Sequence, residues 1–333
     1  MRIGLAGAGR IGSMHAGALA SLQRVQRVVV ADVDGARAEA VAAAVDGEHC
    51  ADVDCLLARG IDALVVATST DSHARLVTAA VATGIPVFCE KPVASDVEGT
   101  LKVIAATEGT GVLVQVGFQR RFDPGYRAAR EELASGRLGF VHTLRSCTLD
   151  PAPPTAAYVA TSGGLFRDCG VHDIDSIRWL TGREVVSVFA VGSNQGADFF
   201  AHVGDVATAS AVLTLDDGST GLVTCTRYNG AGYDVRLEVL GERASLAVGL
   251  DDHTPLRSTE PGATFPSGRP WSAFAERFAP AYVAELRAFC DLVAQPGPSP
   301  CSPVDALEAF YVAEACELSR REARPVAVDE VRR

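Results

Sequence analysis

The feature that most constrains the fold is a glycine-rich turn near the start of the chain. A short apolar run at residues 2–6 leads into GAGRIG at residues 7–12, and an alanine-rich, helix-compatible stretch follows to residue 22. This order of strand, glycine turn and helix is typical of a dinucleotide-binding unit. Its glycines permit a tight turn, a close approach of backbone to a pyrophosphate, and close packing of helix on strand. The cofactor-binding residues predicted in this turn are Gly7, Gly9, Arg10, Ile11 and Gly12.

An acidic residue follows the turn at the expected distance. The apolar run at residues 28–31 is typical of a buried parallel strand, and it ends in Asp32, about 20 residues beyond the turn. A carboxylate there accepts hydrogen bonds from both hydroxyls of an adenosine ribose and repels a 2′-phosphate. We therefore predict NAD rather than NADP as the cofactor. The alternative is a chance glycine-rich turn followed by a surface aspartate.

Strands and helices continue to alternate through the first third of the chain. The predicted strands cover residues 63–67, 86–89 and 112–116, and the predicted helices cover residues 72–83 and 96–107. This alternation predicts a doubly wound parallel sheet, a Rossmann fold, in which ligands bind at the carboxyl ends of the strands. Thr68, Ser69, Glu90 and Lys91 lie at two such ends. We expect all four to border the nucleotide.

The pattern changes after residue 120, where helices and alternating β runs predict an α+β domain with a large, mostly antiparallel open sheet. The predicted helices cover residues 123–133, 166–180, 282–293 and 303–321, and the predicted strands cover residues 141–147, 185–191, 206–215, 220–228, 235–240 and 244–248. We divide the chain into an NAD-binding domain, 1–120, and a substrate-binding and oligomerisation domain, 121–333. A sheet face without a covering layer needs a partner, so we expect a homo-oligomer.

Charge and cysteine usage limit the class of partner. The formal net charge is −11, so the field of the protein repels nucleic acid and anionic lipid. No apolar run approaches the roughly 18 residues that a membrane span needs. Nine cysteines, an odd number without a C-x-x-C pair, favour neither a disulfide framework nor a zinc site. We predict a cytoplasmic protein that acts on a small molecule and contacts neither nucleic acid nor membrane.

Lys91 is unusual in this chain, because only Lys91 and Lys102 of the 30 basic residues are lysines. An arginine would be a poor substitute near reacting atoms, since its guanidinium is bulky and does not give up a proton. We predict that Lys91 hydrogen-bonds the substrate oxygen and stabilises the charge that develops on it. The alternative is an ordinary surface lysine beside a proline.

A second constellation lies in the predicted helix at 166–180. Asp168, His172 and Asp175 follow one another at i, i+4 and i+7, a spacing that places them on one face of a regular helix. An aspartate one turn before a histidine fixes its tautomer, and a neutral imidazole is a common general base. The alternative is a surface ion pair. No further ligands converge in the sequence, so we predict no metal site.

Together these segments resemble the Gfo/Idh/MocA oxidoreductases over essentially the whole chain. The segments that carry the resemblance are GAGRIG at 7–12 with His15 close behind, EKP at 90–92, and GGLFRD at 163–168 running into HDID at 172–175. Within the family the chain is most similar to the inositol 2-dehydrogenases. That similarity rests on GFQRRFDP at 117–124, DPAP at 150–153 and GYDVR at 232–236.

The resemblance implies a catalytic set of Lys91, Asp168 and His172, with His172 as the base. It also implies that Asp175 and Tyr233 contact a polyol, and that the peptide bond before Pro92 is cis. The homo-oligomer that it implies is a tetramer or a dimer. The expected reaction is the NAD-dependent oxidation of myo-inositol to its 2-keto form. Alternatives are a relative that oxidises scyllo-inositol, another polyol or a sugar, and a non-catalytic NAD-binding sensor or transcriptional regulator. The presence of all three catalytic residues favours an enzyme.

Overall fold

The structure is a computed structural model that describes residues 1–264 and 266–332. Its contacts divide the chain into two compact units, of which the first comprises Met1–Phe122 and Pro280–Glu308 and the second comprises Asp123–Ala279 and Ala309–Arg333. Phe265 and Arg333 belong to the predicted second domain and lie outside the described residues. The functions assigned to the two predicted domains stay predictions.

The first unit contains a six-stranded, wholly parallel sheet in the order β3-β2-β1-β4-β5-β6. Its strands are β1 (Arg2–Ala6), β2 (Arg27–Ala31), β3 (Glu48–Cys50), β4 (Ala63–Val66), β5 (Val87–Glu90) and β6 (Val114–Gly117). The first helices are α1 (Arg10–Ala20), α2 (Gly35–Ala44), α3 (Val53–Ala58), α4 (Thr70–Ala82) and α5 (Val97–Thr107). The predicted doubly wound parallel sheet is confirmed.

The second unit contains a seven-stranded sheet in the order β12-β11-β7-β10-β9-β8-β13. Its strands are β7 (Val141–Leu149), β8 (Val185–Ser193), β9 (Thr208–Leu215), β10 (Thr220–Thr226), β11 (Asp234–Gly241), β12 (Ser245–Val248) and β13 (Val326–Ala327). All neighbouring strands are antiparallel except β7 and β10, which run parallel. The predicted α+β class with a mostly antiparallel sheet is confirmed.

The later helices complete both units. They are α6 (Pro124–Ala134), α7 (Ala156–Val159), α8 (Val171–Thr181), α9 (Phe199–His202), α10 (Phe274–Arg277), α11 (Ala279–Ala294) and α12 (Pro303–Glu322). A π-helical turn, Phe166–Gly170, directly precedes α8, and short 3-10 turns cover Gln119–Phe122 and Val328–Val331. Among the described residues, no helix is long and apolar enough to cross a membrane.

The segment Pro280–Glu308 groups with the first unit, although the predicted division placed every residue after 120 in the second domain. The reason is packing. Leu286, Phe289 and Cys290 of α11 are buried in the same apolar cluster as Ile3 and Leu5 of β1. Burying an aliphatic or aromatic side chain contributes about 1.5–3 kcal/mol, so contacts far apart in sequence decide where this helix packs.

Candidate active site

The glycine turn leaves space where a pyrophosphate needs it. Gly7 has a φ of +98°, and a Cβ there would lie 2.5 Å from the carbonyl oxygen of Ala67. A Cβ on Gly12 would lie 1.9 Å from the carbonyl oxygen of Gly7, whereas one on Gly9 would meet nothing within 4 Å. The chain therefore packs tightly behind the turn and stays open at Gly9, where α1 begins. This geometry fits a dinucleotide phosphate at a helix N-terminus.

Asp32 is held beside the same turn by backbone donors. Its Oδ2 accepts a hydrogen bond from the N–H of Ala8 at 2.7 Å, and its Oδ1 accepts one from the N–H of Asp34 at 2.9 Å. Each carboxylate oxygen has a second lone pair, so the group can still accept hydrogen bonds from ribose hydroxyls. The position and chemistry of Asp32 fit NAD.

Two further strand ends are tied together by a histidine that the sequence prediction missed. His73 of α4 is buried, its Nδ1 lies 2.8 Å from the carbonyl oxygen of Pro92, and its Nε2 lies 3.1 Å from that of Thr68. The segments after β4 and β5, which carry Thr68 and Lys91, therefore share one support. The peptide bond between Lys91 and Pro92 is cis, as the family resemblance implied.

Asp168 and His172 of the second unit do not lie in one regular helix. Asp168 lies in the π-helical turn, and His172 lies in the first turn of α8. The chain is helical from residue 166, as predicted, but its first five residues form a π-helix and not a regular α-helix. A π turn changes the angular spacing of side chains and is frequent at functional sites. The spacing i, i+4 therefore does not place Asp168 on the face of His172, and a contact between them stays a prediction.

Asp168 is held by a buried arginine from the end of the sheet. Arg227 Nη2 donates to Asp168 Oδ2 at 2.5 Å, and the Tyr158 hydroxyl donates to Asp168 Oδ1 at 3.0 Å. Arg227 Nη1 also donates to Asp150 Oδ2 at 2.7 Å and lies 2.9 Å from Cys169 Sγ. The Arg227 side chain is only 5% exposed. Asp150, Tyr158, Asp168 and Arg227 are called the arginine cluster below.

Burial and neighbouring charges shift the pKa values of the side chains in the arginine cluster. Burial disfavours the charged form of Arg227, but the neighbouring Cys169, Asp168 and Asp150 outweigh it and raise the pKa of the guanidinium. Burial raises the pKa of Asp150, while the charge of Arg227 opposes that rise. The pKa of Tyr158 is raised by burial and by the Asp168 carboxylate. The guanidinium thus stays charged and faces the carboxyl groups of Asp150 and Asp168.

The other predicted site residues of the second unit are buried or half-buried. Asp175 is 1% exposed and Tyr233 is 4% exposed, and His172 is half-buried. The backbone N–H of Tyr233 donates to the carbonyl oxygen of Trp271 at 2.8 Å, which fixes the chain at that point. The predicted contacts of Asp175 and Tyr233 with substrate stay predictions.

The sequence prediction missed Arg227 and Tyr158 as parts of this site. Arg227 directly follows β10, where it reads as the polar end of a strand, and Tyr158 lies in a short helix after a proline-rich loop. Both reach Asp168 only through tertiary packing. The one available signal was Asp150, the acidic start of the DPAP loop.

Comparison with known proteins identifies the family. A family model described as an oxidoreductase family with an NAD-binding Rossmann fold matches residues 1–118, and one for the Gfo/Idh/MocA C-terminal domain matches residues 126–247. A myo-inositol dehydrogenase of Streptomyces leeuwenhoekii, Hyg17, is 39% identical over 96% of this chain and 97% of its own length.

Solved structures agree with these matches. A putative myo-inositol dehydrogenase from Sinorhizobium meliloti superposes with a TM-score of 0.91 at 33% identity and covers 98% of this chain and 99% of its own. A scyllo-inositol dehydrogenase from Lactobacillus casei, with NAD(H) and scyllo-inositol bound, has a TM-score of 0.90 at 28% identity and covers 99% of both chains. The predicted cofactor, NAD, is confirmed. The chain belongs to the Gfo/Idh/MocA family of NAD-binding oxidoreductases.

Proposed function

We propose that this chain oxidises a cyclic polyol, with myo-inositol as its substrate and 2-keto-myo-inositol as the product. The observation that carries the proposal is Asp168, held as a carboxylate by Arg227 in the turn that leads into His172. A sensor has no need of a base, whereas a dehydrogenase needs one to remove the hydroxyl proton. Relatives that align over nearly the full chain are named as myo- or scyllo-inositol dehydrogenases.

Each proposed catalytic residue has a separate role in the reaction of one substrate hydroxyl group. Neutral His172 accepts the O–H proton, and Asp168 stabilises the imidazolium that results. Lys91 donates a hydrogen bond to the same oxygen and stabilises its developing negative charge. The chemistry that NAD supplies when bound is acceptance of the hydride from the carbon, which leaves a ketone. Asp175 and Tyr233 bind other hydroxyls of the ring and orient it.

The cofactor side of the proposal rests on the first unit. Gly7, Gly9 and Gly12, with Arg10 and Ile11 at the start of α1, form the phosphate cradle. In addition, Asp32 binds the adenosine ribose, and Thr68, Ser69 and Glu90 border the nucleotide at two strand ends. These residues lie where a parallel sheet binds its ligands.

A substrate panel tests the proposal. We expect NADH absorbance to rise with NAD and myo-inositol, and to rise more slowly with pyranoses and linear polyols. Turnover of scyllo-inositol or a sugar alongside silence toward myo-inositol would replace the substrate and keep the reaction. Silence toward every polyol and sugar, with NAD bound, would contradict an enzyme and favour the sensor.

We further propose that a second copy of this chain covers the outer face of the seven-stranded sheet. Large apolar side chains of that sheet are exposed. They are Val186 (46%), Phe189 (40%), Val191 (52%), Val212 (43%) and Leu222 (36%). Such a patch on adjacent strands is typical of an interface, and a two-fold axis lets one face pair with itself. Light scattering after gel filtration tests this: we expect a dimer or tetramer, and a monomer from Phe189→Lys. A monomeric wild-type chain contradicts it.

We also propose a cytoplasmic location. All nine cysteines lie in the described residues and none is in a disulfide. A reducing compartment keeps them so. Fractionation of the native host, with the protein in the cytoplasmic fraction, is the expected result.

A further inference from the structure

Three ionisable side chains converge in the first unit, and only one of them, Glu90, has a part in the proposed function, at the border of the nucleotide. They are His15 from α1, Glu90 from the end of β5 and Glu285 from α11. One nitrogen or oxygen of each lies within 4.8 Å of the others. His15 Nε2 lies 2.6 Å from Glu90 Oε1. These residues are called the acid cluster below.

The surroundings of the acid cluster are mostly buried and largely apolar. His15 and Glu285 are both 0% exposed. The rings of Phe88 and Tyr282 pack edge-on against His15, with centroids 5.4 and 5.9 Å away. Charged forms are costly in such a place unless a partner compensates them.

The hydrogen bonds and charges of the acid cluster indicate which of its side chains carry protons. An ionised Glu90 can only accept, in which case His15 donates from Nε2 and Nδ1 of the neutral imidazole is an acceptor. Within the described residues, His15 Nδ1 and both carboxyl oxygens of Glu285 lack a hydrogen-bond partner. An ionised Glu285 would place a second negative charge beside Glu90 in a buried position, whereas the protonated acid is neutral. Burial and the charge of Glu90 raise the pKa of Glu285 well above its usual value.

The acid cluster is hydrogen-bonded to the backbone of the predicted catalytic lysine. Glu90 Oε2 accepts a hydrogen bond from the backbone N–H of Lys91 at 3.2 Å. The Glu90 carboxylate is therefore fixed by His15 on one side and by the Lys91 backbone on the other. Gly117 leaves room for it, because a Cβ there would lie 3.3 Å from the Glu90 carboxyl carbon.

We propose that Glu285 is kept as the neutral acid and, through His15 and Glu90, positions Lys91 for the reaction. Glu285 is thus a positioning residue, and this role rests on the proposed function of Lys91. The ionisable groups that the structure brings together with it are His15 from α1 and Glu90 from β5, and Tyr282, one turn earlier in α11, packs against His15. Gln115 of β6, which is uncharged, donates to the Glu285 carbonyl oxygen at 3.2 Å.

Three variants separate this role from a merely structural one. Glu285→Gln imitates a neutral acid, Glu285→Leu removes the polar group at similar size, and Asp291→Leu changes an exposed acid in the same helix. We expect Glu285→Leu to lower kcat by about tenfold to a hundredfold while the polyol KM and the NAD Kd change less than about twofold. Glu285→Gln should restore kcat to within about threefold of wild type, and Asp291→Leu should match wild type.

Infrared spectroscopy reads the protonation state without any substrate. We expect the carbonyl band of a protonated carboxylic acid in the wild-type protein at neutral pH, and its loss in Glu285→Gln. Absence of the band would overturn the neutral acid even if turnover is normal. The band with no polyol turned over would instead contradict the proposed substrate alone.

Two other outcomes also overturn the inference. One is a Glu285→Gln variant that folds, as judged by its melting temperature, yet is as slow as Glu285→Leu. The other is stoichiometric Zn²⁺ or Mn²⁺ binding that Glu285→Gln abolishes, because a histidine and two carboxylates also suit such ions. Titration calorimetry with each metal alone checks this, and we expect no binding at the acid cluster.

Discussion

The two units place half-buried or buried carboxyl groups in opposite electrostatic surroundings. In the arginine cluster, one guanidinium faces Asp150 and Asp168 at 2.7 and 2.5 Å. In the acid cluster, Glu285 has burial and the charge of Glu90 acting on it, and both raise its pKa. A guanidinium favours the ionised form of the carboxyl groups beside it, which suits the proposed role of Asp168. Burial and a neighbouring negative charge favour the neutral form of Glu285, which suits the positioning role proposed for it.

The largest effect is expected from removing the guanidinium. Arg227→Met leaves the half-buried Asp150 and Asp168 without their buried cation, and breaking a buried pair costs about 3–5 kcal/mol of unfolding free energy. Urea unfolding measures it. Arg183→Met is the matched control, because Arg183 is 51% exposed in its pair with Asp217, and we expect less than about 1 kcal/mol there. Equal losses of unfolding free energy in both variants would contradict a larger stabilising role for the buried Arg227.

A smaller effect is expected when only the charge of Asp168 is removed. Asp168→Asn keeps the size of the side chain but no longer stabilises a positive His172. We expect kcat to fall by about a hundredfold or more, with NAD affinity unchanged in a fluorescence titration. Asp150→Asn, in the same cluster, should lose less activity. The reverse order would assign the supporting role to Asp150.

The pH dependence of stability distinguishes the two clusters. The usual pKa of a glutamate is about 4.5, and that of folded Glu285 lies well above it. Between these two values the folded chain binds more protons than the unfolded chain, so stability falls as pH rises, by up to about 1.4 kcal/mol per pH unit. Glu285→Gln lacks this loss. Melting curves from pH 5 upward should therefore show wild type losing stability relative to the variant; a constant difference contradicts a neutral Glu285.

Asp32 is a third case, because its carboxylate accepts hydrogen bonds from two backbone N–H groups and has neither a guanidinium partner like that of Asp168 nor the proton proposed for Glu285. Asp32→Asn keeps a carbonyl oxygen but loses the charge that these donors stabilise and that repels a 2′-phosphate. We expect about a tenfold weaker NAD Kd and a relative gain for NADP. Unchanged preference between the two cofactors would remove Asp32 from the ribose site.

Much of the fold was predictable because its signals are local. The glycine turn, the apolar runs of β1, β2 and β4, and the alternating strands of the second sheet each carry their own pattern. Two features were not predicted, β3 and the packing of α11 in the first unit, and neither has such a local pattern. β3 has three residues, of which only Cys50 is buried, and α11 joins the first unit through apolar packing with strands at the other end of the sequence.

The site was predictable only in part, and for the same reason. Asp168 and His172 were predicted from their spacing, but the π turn that contains Asp168 alters the geometry that this spacing implies. Arg227 and Glu285 lie 59 positions from Asp168 and 195 from Glu90 in the sequence, and their roles depend on burial. No pattern within a window of residues indicates such partners.

The most direct test of the account is a kinetic comparison of wild type with His172→Ala and Lys91→Ala, using myo-inositol and NAD. NADH formation gives kcat, and quenching of intrinsic fluorescence gives the NAD Kd. The account predicts that both variants lose kcat by about a hundredfold or more while NAD binds as in wild type. A near-normal kcat in His172→Ala would contradict a base-assisted oxidation at this residue, and a near-normal kcat in Lys91→Ala would do the same for Lys91.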